Sequence, residues 1–98
     1  MAKFLMLWEL DTTKMPESPE EQMVLFNRLM NMVDEDFKSG MLDWGEFVGG
    51  GAGYSITECT EQELNLDLIR YSPYVKFKVH PVLSASQIEE NMKALMQA

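Results

Sequence analysis

The sequence predicts an α+β domain: a four-stranded antiparallel sheet with two helices on one face, plus a C-terminal helix that packs at the sheet edge or reaches across to a partner subunit. Three observations carry this. Four apolar segments bounded by turn formers read as strands. Complete capping signals announce helices after Ser18 and Thr60. The two middle strands are joined by Gly49-Gly50-Gly51, which reads as a hairpin turn.

Lys3 to Leu10 is apolar without a turn former, the pattern of a buried strand. A polar connection follows, Asp11 to Ser18. Ser18 can cap, Pro19 suits the first helical position, and Glu21 closes a capping box. From there Met23, Phe26, Met30, Val33 and Phe37 keep the spacing of one helix face. Val24, Leu25, Leu29 and Met32 widen that stripe beyond what a sheet surface requires. Gly40 ends the helix. Leu42 to Val48 alternates, with Leu42, Trp44, Glu46 and Val48 on one side and Asp43, Gly45 and Phe47 on the other. Ala52 to Cys59 is the return strand. Thr60 with Glu63 opens a short helix that Ser72-Pro73 stops. Tyr74 to Val82 alternates again, and a last helix starts near Ser84, carrying Ile88, Met92, Leu95 and Met96.

The order β-α-β-β-α-β-α contains the split βαβ arrangement, a ferredoxin-like βαββαβ unit plus a C-terminal helix. Residues 1–98 form one domain, with no repeat, low-complexity tract or linker.

Composition narrows the function. The 98 residues carry sixteen acidic against eight basic side chains, a formal net charge of -8. Polyanionic nucleic acid and anionic membrane surfaces need clustered Lys and Arg, and only Lys76 and Lys78 lie close together. No apolar run reaches the ~20 residues that span a bilayer. The segment Met1 to Glu9 is too short and too soon acidic for a signal peptide, so a cytoplasmic location is expected. A single cysteine, Cys59, leaves no disulfide framework, and with His80 the sole histidine no metal site is expected.

The sheet offers the candidate site. With Val75, Phe77 and Val79 toward the helices, Tyr74, Lys76, Lys78 and His80 face the other way. Trp44 and Glu46 share a face of their strand, as do Tyr54, Ile56 and Glu58. An aromatic wall of Trp44, Tyr54 and Tyr74 with Glu58 and Lys78 would bind a substrate. Glu46 and His80 would move a proton on a small unsaturated acid, because burial and neighbours can bring both groups near neutral pKa. The blander reading is that these polar groups line a subunit seam or meet solvent.

Other chemistry-bearing residues read as structural. Glu9 and Asp11 are solvated carboxylates before a loop, and Cys59 is a buried thiol unless a histidine approaches it. Gly49-Gly50-Gly51-Ala52-Gly53 lacks the Lys-Ser/Thr ending of a phosphate loop and leads into a strand. The nine methionines lie mostly on helix faces and suit core and subunit contacts.

Gly53-Tyr54-Ser55-Ile56, the acidic helix start Glu61-Gln62-Glu63-Leu64 and the run Ser72-Pro73-Tyr74 to Leu83 resemble the muconolactone isomerase-like branch of the dimeric α/β-barrel superfamily. The resemblance covers about a third of the chain. The first half, the triple glycine and the last helix depart from it. It implies a protomer whose open sheet face pairs with a second copy, leaving a cavity for a small ligand. It also implies a cofactor-independent isomerase or monooxygenase-like activity on a small unsaturated acid or lactone. A non-catalytic oligomeric module, its sheet face serving only as an interface, is the alternative.

Overall fold

A computed structural model describes residues 2–97. Strands β1 (Ala2–Leu10), β2 (Met41–Glu46), β3 (Ala52–Cys59) and β4 (Val75–Val82) form one antiparallel sheet in the order β2-β3-β1-β4. Helix α1 (Pro19–Phe37) links β1 to β2, α2 (Glu61–Ile69) links β3 to β4, and α3 (Ala85–Gln97) follows β4. This α+β arrangement is consistent with a ferredoxin-like fold.

Local chemistry sets the boundaries. The Ser18 hydroxyl accepts from the Glu21 amide at 3.0 Å, with Pro19 opening α1. At α2 the box is reciprocal. Thr60 Oγ1 accepts from the Glu63 amide at 3.1 Å, and Glu63 Oε1 accepts from the Thr60 amide at 3.0 Å. Ser84 and Gln87 repeat this exchange at α3. Gly49, Gly50 and Gly51 all have φ between 83° and 109°, a turn that side chains would strain. The Gly51 carbonyl accepts from Leu10 N at 2.8 Å, which ties the loop to β1.

The core lies between the sheet and α1 and α2. It falls into two clusters, Phe4 and Met6 of β1 with Cys59 of β3 and Leu64 of α2, and Leu25, Leu29 and Val33 of α1 with Met41 and Tyr71, with Phe77 packed against both. The expected stripe on α1 is therefore rotated. Leu25, Leu29 and Val33 are buried, while Met23, Met30 and Phe37 are exposed. An apolar belt this wide contains two stripes, and the sheet selects one.

Helix α3 stands apart. None of its described residues is buried, and it makes at most marginal contact with the rest of the chain. The radius of gyration, 16.7 Å, exceeds the ~13 Å of a compact domain of this length.

Candidate functional site

A cavity of about 470 Å³ separates the sheet from α1 and α2. Its origin is legible in β3, whose helix-facing positions are Gly53, Ser55, Thr57 and Cys59, paired with Trp8, Met6, Phe4 and Ala2. A central strand would ordinarily present Val, Ile or Leu there, and the missing volume becomes space.

Trp8 and Trp44 form one wall. The Trp8 indole crosses β3 from β1 and stacks on Trp44 of β2, with centroids 5.3 Å apart and planes 8° from parallel. Only glycine permits this. A Cβ on Gly53 would lie 2.5 Å from Trp8 Cζ2 and 2.0 Å from the Gly45 carbonyl oxygen. Trp8 Nε1 donates to the Gly45 and Tyr54 carbonyls at 3.2 and 3.3 Å, which fixes the ring's tilt.

Two hydroxyls form the polar part of the floor. Ser55 and Thr57 line the cavity at 5% and 6% exposure, and neither hydroxyl has a protein hydrogen-bond partner among the described residues.

At another part of the wall, side chains from α1 and the end of α2 meet. Asp36 accepts from Arg70 Nη2 and from Tyr71 Oη, each at 2.5 Å. Burial, reinforced by the bond to Asp36, pushes the Tyr71 phenol far above its ordinary value. Asp67 lies 3.8 Å from Arg70 and accepts no hydrogen bond from the described residues. Burial, then the nearby Asp36 charge, raises its carboxyl pKa.

The structure divides the residues expected at the site. Trp44 and Glu46 do not face the open side; they line the interior cavity. The cause is a bulge in β2, where Met41 pairs with Thr57 but Asp43 with Ile56, leaving Leu42 extra and placing Trp44 opposite Ser55 and Glu46 opposite Gly53. Glu46 sits exposed at the mouth, near the Gly50 turn. His80 pairs with Leu5 on the other face and is exposed. Glu46 and His80 thus lie on opposite faces of the sheet and cannot share one substrate, which corrects the expected pair.

Tyr54, Glu58 and Lys78 remain on the open face, paired with Leu7, Lys3 and again Leu7. Tyr54 packs over Gly45, stacks with Phe47 and donates to Asp43 Oδ2 at 2.8 Å. That bond raises its phenol pKa. Glu58 pairs with Lys3 at 3.9 Å. Tyr74 departs from expectation. It lies in the turn before β4, where strand alternation no longer applies, and packs half-buried against the Leu25–Leu29–Val33 cluster.

The remaining candidates are structural. Asp11 caps a 3₁₀ turn, and the Thr13 hydroxyl, 2.6 Å away, holds its carboxyl below the usual range. Burial raises the Cys59 thiol pKa, and the thiol faces the core, on the side away from His80. Among the described residues no three His, Cys, Asp or Glu side chains converge as metal ligands, and no helix is long and apolar enough to cross a membrane.

Sequence reasoning missed Trp8, Ser55, Thr57, Asp67 and Tyr71. The signal that could have found the hydroxyls is the run of small residues at alternate positions of β3. No protein-family model matches the chain, and no curated protein matches its sequence.

Proposed function

We propose that this protein binds a small, largely apolar molecule in the cavity between its sheet and its two covering helices. The observation that carries the reading is the pair of unpartnered hydroxyls, Ser55 and Thr57, on the floor of a 470 Å³ space walled by stacked tryptophans. Apolar walls with a few convergent polar groups are the usual make-up of a ligand site. A proton-transfer activity of the kind the resemblance implies would draw on carboxylates of this cavity, Glu46 at its mouth and Asp67 within, and not on His80.

The two tryptophans are the chain's only ones, so intrinsic fluorescence reports directly on the cavity. Titrating a panel of flat hydrocarbons with one polar group should shift that emission in a saturable way. Replacing Ser55 with leucine, which fills the floor, should remove the response. A panel that leaves the emission unmoved, or a response that survives Ser55→Leu, would sink the reading.

Assembly is a separate part of the proposal. The open sheet face carries Leu5, Leu7 and Ile56 with Tyr54 at its edge, and a second copy of the chain would cover it in the dimeric α/β-barrel manner. Light scattering at micromolar concentration should then give at least twice 11.3 kDa. A stable monomer would leave the binding proposal standing and remove this part of it.

A further inference from the structure

Resting on the cavity as the ligand site, we infer that its ligand is an apolar cation, an amine on a flat hydrocarbon body, with Asp67 as the counter-ion. Among the described residues the charged side chains that line the cavity are the carboxylates Asp36, Glu46 and Asp67; the one cation beside them, Arg70, bonds to Asp36 from outside the lining and leaves the wall net negative. A carboxylate ligand would bring a further negative charge among them into surroundings of low dielectric, where like charges repel strongly.

The three acids are not equivalent. Both oxygens of Asp36 are occupied, one by Arg70 and one by Tyr71, and its side chain is only 13% exposed. Glu46 stands at the mouth in contact with solvent. Asp67 is half-buried, accepts no hydrogen bond from the described residues, and has as its neighbouring cation, 3.8 Å away, an Arg70 already committed to Asp36. Its acceptor capacity is therefore free and turned to the cavity. An ammonium group would satisfy it, while the tryptophan wall at the other part of the cavity offers an aromatic surface to a flat body. Ser55 and Thr57 add neutral acceptors for the N–H groups the carboxylate leaves unpaired.

The inference separates this chain from the ligand class its resemblance implies. A small unsaturated acid would have to displace or neutralise these carboxylates to enter. An amine of the same shape would not.

The test uses the full chain and three matched probes, 4-phenylbutylamine, 4-phenylbutan-1-ol and 4-phenylbutyrate, read by calorimetry and tryptophan emission. The amine should bind at least about tenfold more tightly than the carboxylate, the alcohol falling between them. Asp67→Asn should cost the amine at least about fivefold and the alcohol much less, since only the amine loses a charge pair. The alcohol thereby shows that the variant's cavity is intact. Amine binding should also be lost in Ser55→Leu, which distinguishes the cavity from the acidic outer surface. A carboxylate that binds as well as the amine overturns the charge inference and leaves cavity binding intact. So does an amine affinity indifferent to Asp67→Asn, whereas one that survives Ser55→Leu places the amine outside the cavity and overturns the cavity reading. Failure of all three probes to bind overturns the cavity reading itself.

Discussion

Replacing the floor hydroxyls by methyl groups should make the protein more stable while emptying it of function. Thr57 is 6% exposed, and its hydroxyl bonds to no protein group among the described residues. Thr57→Val therefore breaks no internal hydrogen bond. Among the described residues no fully buried side-chain oxygen or nitrogen lacks a partner, so this hydroxyl opens onto the cavity, and the swap exchanges a solvated hydroxyl for a methyl that gains from contact with the apolar walls. Residual hydration of the cavity brings the net toward about 1 kcal/mol, which for a domain of this size raises Tm by roughly 4–8 °C. Ser55→Val adds one further methyl, worth about another 0.8 kcal/mol. Both valines suit a strand, so backbone preference does not oppose the change. Denaturant unfolding followed by circular dichroism measures the effect, and the tryptophan titration measures the lost binding. A destabilisation beyond about 1 kcal/mol would show the hydroxyls to be structural and refute the argument.

Other outcomes follow from the same structure. Gly53→Ala places a Cβ 2.0 Å from the Gly45 carbonyl and 2.5 Å from Trp8, so it should cost about 1–3 kcal/mol or more and abolish the tryptophan stack in near-UV dichroism. Thr60→Ala removes the α2 cap and should cost about 1 kcal/mol in denaturant melts. Burial raises the pKa of Asp67, so its charged form is less favourable in the folded chain than in the unfolded one. Asp67→Asn should therefore raise Tm at neutral pH, the gain fading as pH falls through the raised pKa toward the ordinary 3.8. Truncation at residue 84 should leave the far-UV signal of the sheet and of α1 and α2 intact, since α3 makes at most marginal contact with them.

The elements themselves were legible because their ends are written locally. Ser18-Pro19 with Glu21, Thr60 with Glu63, and the triple glycine mark boundaries within a few residues of where the chain turns. The faces were less so. On α1 the apolar residues run nearly around the helix, and only contact with Met41 and Trp44 of β2 and Val75 and Phe77 of β4 selects Leu25, Leu29 and Val33. On β2 the extra residue at Leu42 is a property of pairing with β3 and leaves no trace in alternation. The Asp36–Arg70–Tyr71 contacts join residues 34 and 35 positions apart, beyond any local pattern. Small residues on one side of β3 were visible, but that they open a space depends on how far α1 stands from the sheet.

That same strand separates the two proposed roles. Gly53, Ser55, Thr57 and Cys59 face the helices, while Tyr54, Ile56 and Glu58 face outward. Side chains at adjacent positions point to opposite sides and share no packing partner. Ligand binding and assembly should therefore respond to different substitutions one residue apart. Ile56→Lys puts a charge on the open face and should halve the mass seen by light scattering. Its effect on ligand affinity should stay within about twofold, the ~0.5 kcal/mol expected of independent sites. Ser55→Val should do the reverse, losing the ligand and keeping the mass. Should Ile56→Lys instead weaken the ligand more than about tenfold, a change of ~1.4 kcal/mol, the two faces are coupled. The second copy would then press on the sheet from outside and help shape the cavity within. The two proposals would have to be merged into one site that exists only in the assembled protein.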